Sequence, residues 1–78
     1  MTAKEMFEKL GYECFINKEL EEIEYTKKDN KEFIIFVHYH FNNSYVFYKQ
    51  TDYEPGDITM EELQAINKQV EELGWLDE

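Results

Sequence analysis

An uninterrupted run of nine β-branched, aromatic and histidine residues, Phe33 to Phe41, occupies the middle of the chain. Such side chains fit the pleated surface of a sheet better than the surface of a helix. The run ends at Asn42-Asn43-Ser44, which is typical of a turn because Asn tolerates positive φ. Residues 45–51 then resume the strand-like composition. The pattern therefore predicts a hairpin, with residues 33–41 as the central strand of an antiparallel sheet.

A further strand is predicted upstream of this hairpin. Between Glu22 and Lys27, Ile23 and Tyr25 alternate with polar residues, which is typical of a strand with one buried face. Residues 28–31 favour a turn, which gives a three-stranded meander with the 33–41 strand in the middle. The segment 13–20 is ambiguous, because the stretch Cys14 to Ile16 fits either a short strand or a loop.

The first ten residues predict a short helix. Thr2 and Glu5 have the spacing of a capping box, in which each side chain binds the backbone N–H of the other residue. Gly11 follows at the position where helices often end in a left-handed turn, and Tyr12 is then expected to fold back onto Phe7. One helical face carries the apolar side chains Ala3, Met6, Phe7 and Leu10.

The end of the chain predicts a second helix with the same signals. Thr59 and Glu62 form another capping box, and Gly74 marks the end of the helix. The expected apolar face consists of Leu63, Ile66, Val70 and Leu73.

Together these elements predict one α+β domain spanning residues 1–78. The expected order is helix, three-stranded antiparallel β-meander, helix (αβββα). Two helices cannot cover both faces of the sheet well, so we expect two layers with both helices on one face.

The two faces of the central strand carry different side chains. One face, which we expect to meet the helices, carries Phe33, Ile35, Val37, Tyr39 and Phe41. The other face is expected near the surface and supplies the candidate partner-binding residues Ile34, Phe36, His38 and His40. Two interpretations of this second face stay open. Either the chain covers it locally, or it forms an apolar patch for self-association or for a partner, with a free strand edge as another route.

The charge is strongly acidic and unevenly distributed. The 78 residues contain 18 acidic side chains against eight lysines, a net charge of −10, and residues 50–78 alone carry −8. Such a chain repels phosphate backbones and anionic membranes, so direct binding to nucleic acid or membranes is not expected. The candidate acidic-surface residues are Glu19, Glu21, Glu22, Glu24, Glu61, Glu62, Glu71 and Glu72. They favour either solubility alone or attraction to a basic partner.

No residue pattern indicates catalysis. His38 and His40 are spaced to share a metal, but a third and fourth ligand would have to come from Asp, Glu or water, so the two histidines alone do not define a site. Cys14 is alone, so no disulfide forms within the chain. The three isolated glycines make no phosphate-binding loop. We therefore predict no catalytic residue, no metal and no cofactor, and expect that the protein is not an enzyme.

The location is expected to be the cytoplasm. No apolar run is long enough to span a bilayer. The first residues open an amphipathic segment and lack the apolar stretch of a signal peptide.

The two ends of the chain resemble a group of small uncharacterised proteins encoded in prophages of Firmicutes-type bacteria. The resemblance covers Met1 to Glu13 and Ile58 to Trp75, which include both predicted helices, and leaves the strands largely unmatched. It implies a phage-borne accessory protein that acts in a bacterial cytoplasm.

Two functions are compatible with these observations. The first is a small protein-binding module that docks, or forms a homodimer, through an exposed face or edge of its sheet. The second is an acidic phage inhibitor that mimics nucleic acid and blocks the basic groove of a host defence or DNA-processing protein.

Overall fold

A computed structural model describes residues 1–27, 31–39, 41–51 and 56–75. The α+β class and the order of helix, antiparallel meander and helix are confirmed. The elements are α1 Ala3–Lys9, β1 Tyr12–Asn17, β2 Glu22–Lys27, β3 Glu32–Tyr39, β4 Ser44–Thr51 and α2 Met60–Glu72. No helix among the described residues is long and apolar enough to cross a membrane.

The sheet has four strands in the order β1-β2-β3-β4, so the prediction of three strands is wrong. The ambiguous segment supplies the extra strand, because Tyr12 to Asn17 pairs along its whole length with Lys27 to Glu22. Its three consecutive central residues, Cys14 to Ile16, were too short a pattern to separate a strand from a loop. β2 and β3 are therefore the central strands, while β1 and β4 lie at the edges.

Both predicted capping boxes are confirmed. Thr2 and Glu5 exchange side-chain-to-backbone hydrogen bonds at the start of α1, and Thr59 and Glu62 do the same at the start of α2. At the end of α1, Gly11 has a φ of +96°, which a residue with a side chain rarely adopts. The Tyr12 ring then packs edge-on against Phe7, as the helix-ending signal predicted.

The buried face of α2 agrees only in part with the predicted apolar face, since Ile66 is buried and Val70 packs against the core. Its buried residues are Glu62, Ala65, Ile66 and Gln69. Leu63 and Leu73, which were predicted to face the core, are 38% and 37% exposed. The helix is oriented by polar contacts, because Glu62 and Gln69 accept buried hydrogen bonds from Tyr12 and Tyr25.

The prediction of which sheet face meets the helices is also wrong. Ile34 and Phe36 are 0% and 1% exposed and belong to the hydrophobic core. Phe7 of α1 stacks on Tyr25 at 3.9 Å between ring centroids and lies 6.3 Å from Phe36. At the end of α2, the ring of Trp75 also lies 6.3 Å from Phe36. Both helices thus cover the face that carries Ile34 and Phe36.

Candidate functional site

The opposite face of the sheet, here called the open face, carries the side chains that alternate with the core residues. The strand register arranges them in cross-strand rows. The rows are Glu13-Thr26-Phe33-Gln50, Phe15-Glu24-Ile35-Tyr48 and Asn17-Glu22-Val37-Val46, followed by the pair Tyr39-Ser44. The side chains of β3 that were predicted to meet the helices therefore lie on the open face instead; they are Phe33, Ile35, Val37 and Tyr39.

The open face combines a covered centre with exposed aromatic neighbours. Ile35 is only 8% exposed although it lies on the side opposite the helices, because its own row flanks it. In that row Phe15 and Tyr48 are 53% and 41% exposed, and Tyr39 nearby is 43% exposed. The surface that remains presents exposed aromatic side chains on a regular sheet, which is a feature of protein-binding surfaces.

The charged groups on the open face are all carboxylates among the described residues. Glu13, Glu22 and Glu24 project from β1 and β2, whereas β3 and β4 supply neutral side chains to this face. Burial raises the pKa of the Tyr48 hydroxyl, and the negative charges of Glu22 and Glu24 raise it further. The apolar half of the open face therefore lies in a negative electrostatic field.

The predicted partner-binding residues do not form a surface. Ile34 and Phe36 are enclosed between the sheet and the helices, so a partner cannot reach them while the helices stay in place. His38 is half-buried on the same side, at the end of the sheet. His40 lies outside the described residues.

His38 connects two turns. Its Nδ1 lies 2.8 Å from a carboxylate oxygen of Glu21, which belongs to the turn between β1 and β2. Its Nε2 lies 3.0 Å from Oδ1 of Asn43, in the turn between β3 and β4. The imidazole ring also stacks on Tyr45, with 4.5 Å between centroids. These contacts give His38 a clear structural role.

Within residues 1–27, 31–39, 41–51 and 56–75, no group of three or more His, Cys, Asp or Glu side chains could hold a metal ion. Cys14 is a free, partly buried cysteine that packs against the core. Burial raises the pKa of its thiol, which lowers the fraction of reactive thiolate at neutral pH.

The eight acidic-surface candidates differ in their exposure and in their partners. Glu62 is 4% exposed and is not a surface residue, which corrects the prediction. Glu72 accepts a hydrogen bond from the backbone N–H of Ala3, and Glu71 pairs with Lys68. Glu21 pairs with His38, while Glu22 and Glu24 lie on the open face. Glu19 and Glu61 are exposed.

Glu62 is the centre of a buried polar network. Its carboxylate lies 2.8 Å from Nζ of Lys49, and both side chains are 5% exposed. It also accepts hydrogen bonds from the Tyr12 hydroxyl and the Thr59 backbone N–H. Burial opposes ionisation of Glu62, but the hydrogen bonds from Lys49, Tyr12 and Thr59 outweigh it and lower the pKa of Glu62. The network fixes α2 to both edge strands.

The sequence prediction assigned the open-face side chains of β3 to the core, although the alternation in β2 indicated the correct face. In β2, Ile23 and Tyr25 alternate with Glu22, Glu24 and Thr26, so the apolar side of β2 identifies the core side of the sheet. The register pairs Tyr25 with Ile34 and Ile23 with Phe36. Comparison of the chain with protein-family models, curated proteins and solved structures found no match.

Proposed function

We propose that this protein is a binding module without catalytic activity, and that it docks a protein partner on the open face of its sheet. The observation that carries the proposal is the combination of exposed Phe15, Tyr39 and Tyr48 with a flank of carboxylates. The largest exposed aromatic side chains of a sheet are efficient anchors, because they bury much area for little loss of side-chain entropy.

The charges of the open face define the partner. Glu13, Glu22 and Glu24 favour a partner that places Lys or Arg beside an apolar stripe. A second copy of the chain would bring the same carboxylates and another net charge of −10 towards the face. Charge complementarity therefore favours a basic protein over a homodimer.

An amphipathic helix is the shape that best fits a sheet face. The helix-covered side of the sheet already shows how helices pack on these strands, and a basic amphipathic helix on the open side would complete a third layer. Apolar side chains of that helix would contact Tyr39 and Tyr48, while its basic side chains would lie over Glu22 and Glu24.

The biological setting is part of the proposal. The resemblance of the two ends of the chain to prophage-encoded proteins supports a phage-borne accessory protein that acts in a bacterial cytoplasm. The basic partner would then be a host or phage protein.

The alternative is an acidic inhibitor that occupies a basic nucleic-acid groove. That function needs rows of free carboxylates. Glu62 and Glu72 instead bind Lys49 and the Ala3 backbone N–H. Because these acids serve the fold, the open face is the better-supported surface.

The test is binding of a designed amphipathic helix made of Leu and Lys, about 18 residues long so that it is helical in solution. We expect its addition to shift the amide NMR signals of Phe33, Ile35 and Tyr48, and the affinity to fall as salt rises. A matched peptide with Glu in place of Lys should bind at least about tenfold more weakly.

Paired variants locate the interaction. Tyr48→Ser should weaken binding several-fold, whereas Met60→Ser, an exposed change on α2, should leave it unchanged. Glu24→Lys should weaken it more than Glu61→Lys, which alters net charge equally. Equal effects of the two Glu→Lys changes would favour the acidic inhibitor, and absence of binding by either peptide at millimolar concentration would overturn the proposal.

A further inference from the structure

The strand β1 has a neighbouring strand on one side only in the described part of the chain. Edge strands can accept a further strand because their outward N–H and C=O groups are available for pairing. Natural edges are often protected by Lys or Pro, and Tyr12 to Asn17 contains neither. Its residues Phe15 and Ile16 are 53% and 64% exposed. β1 therefore has the character of a site for strand addition.

A cleft of about 420 Å³ adjoins β1 on the helix side of the sheet. Ile16 forms its outer side, Phe36 and Tyr45 lie on the sheet, and Leu73 and Trp75 follow the end of α2. The ring of Tyr45 lies 4.9 Å from that of Trp75, which makes a continuous aromatic wall. The size and the apolar wall suit a bulky apolar side chain.

A smaller depression of about 260 Å³ lies at the same end of β1. Ile16, Asn17 and Glu22 line both cavities, but only the depression includes Phe15 and Glu24. Phe15 and Glu24 lie in one row of the open face, so this depression faces the side opposite the helices. Its two carboxylates suit a cationic side chain.

We propose that the end of β1 and its two flanking cavities form a groove for an extended peptide with a basic-apolar-basic pattern. Successive residues of a strand point to opposite faces of the sheet. An apolar residue that enters the helix-side cleft therefore directs both of its neighbours towards the side of Glu22 and Glu24. Backbone pairing with β1 supplies affinity, and the two cavities supply specificity.

The groove takes a partner peptide and not a second copy of β1. In β1 itself, the neighbours of Ile16 are Phe15 and Asn17, and the neighbours of Cys14 are Glu13 and Phe15. None of these is cationic, so a second β1 would bring no positive charge to Glu22 and Glu24. The groove shares Glu22 and Glu24 with the edge of the open face, but its helix-side cleft is distinct from that face, since Ile16, Leu73 and Trp75 lie on the helix side.

The probe is the blocked peptide Thr-Val-Lys-Phe-Lys-Val-Thr, and the readout is the fluorescence of Trp75, the single tryptophan of the chain. Replacing the central Phe of the peptide by Ala should weaken binding at least about tenfold, because it empties the cleft. Replacing both Lys by Glu should abolish measurable binding.

Backbone methylation tests strand pairing directly. In one peptide the N–H groups of Phe and both Val are methylated, and in another those of the two Lys. Only one of these sets can face β1, so one methylated peptide should lose binding and the other should keep it. Equal binding of both, or loss of both, would overturn strand addition.

Two protein variants separate the groove from the open-face proposal. Ile16→Ser should weaken binding of the extended peptide several-fold and leave binding of the amphipathic helix unchanged. Tyr48→Ser should weaken binding of the amphipathic helix several-fold and leave binding of the extended peptide unchanged. Failure of the extended peptide to bind at millimolar concentration would overturn the groove alone. A stable dimer of the free protein that is broken by Ile16→Ser would also overturn it, because a second copy would then occupy β1.

Discussion

The two faces of β3 have similar composition but different roles. Ile34 and Phe36 lie under the helices and are almost completely buried, whereas Phe33, Ile35 and Val37 point to the open face. Apolar character alone therefore does not determine which side of a strand becomes the core. When both faces of a strand are apolar, contacts with the neighbouring elements determine which face becomes part of the core.

The neighbouring strands and helices determine which face of β3 is buried, through polar contacts as well as apolar ones. On the helix side, the Tyr25 hydroxyl donates a hydrogen bond to Gln69, and Lys49 forms an ion pair with Glu62. These buried polar groups therefore have partners when the helices pack on that face. On the open side, the chain's own helices would have to cover Glu22 and Glu24 of β2. Burying carboxylates is costly unless each is paired, which disfavours that arrangement.

The largest difference between the faces should be seen in matched Phe substitutions within β3. We expect Phe36→Ala to lower the free energy of unfolding by about 3–5 kcal/mol, because it opens a cavity among Phe7, Tyr25 and Trp75. Phe33→Ala should cost about 1 kcal/mol or less, since Phe33 is partly exposed. Urea denaturation measures both, and equal costs would contradict the assignment of faces. If Phe36→Ala does not fold, the milder Phe36→Leu serves the comparison.

The polar network on the helix side gives the next largest effect. Lys49→Met should destabilise the protein by about 3 kcal/mol, because it leaves the buried Glu62 carboxylate without its cation. The matched change Lys27→Met removes a more exposed ion pair with Glu32 and should cost about 1 kcal/mol or less. Thermal and urea unfolding of the two variants should therefore differ clearly, and similar stabilities would show that the network does not hold the helix side together.

The same network makes the stability of the protein depend on pH. The pKa of Glu62 is lower in the folded chain than its ordinary value of 4.5, so its contribution is present above that value and is lost as the pH falls through the folded pKa. The stability difference between the wild type and Glu62→Gln should therefore narrow as the pH falls from about 6 to about 3. A difference that stays constant over this range would exclude ionised Glu62 as the stabilising form.

The smallest stability effect is expected on the open face. Tyr48→Ser should change the free energy of unfolding by about 1 kcal/mol or less, because the side chain is 41% exposed. The same variant should weaken binding of the basic amphipathic helix several-fold. A strong loss of stability would mean that the open face belongs to the core, which would remove the basis for a docking surface.

Local signals predicted the helices well. The capping boxes at Thr2 and Thr59 and the glycines that end the helices act within a few residues, so they could be identified without knowledge of the fold. The hairpin turn was also predicted, and Asn43 adopts the expected positive φ of 51°. Sequence is informative wherever the determinant is local.

The misplaced features depend on contacts between separate elements. β1 is stabilised by pairing with β2, and the orientation of α2 depends on Tyr12 and Tyr25, which lie 50 and 44 residues from their partners Glu62 and Gln69. The set of side chains that share the open face could be identified only from the strand register. A polar residue such as Gln69 can thus lie in the core while Leu63 remains exposed.

The central claim is that the helices cover the sheet face that carries Ile34 and Phe36 and leave the opposite face open. Its most direct test is the accessibility of aromatic side chains to a soluble paramagnetic gadolinium chelate, measured by NMR relaxation. We predict strong relaxation of the Phe15, Tyr39 and Tyr48 rings and little relaxation of the Phe7, Tyr25 and Phe36 rings. Protection of Tyr39 and Tyr48 together with strong relaxation of Phe36 would contradict the account, because the helices would then cover the opposite face.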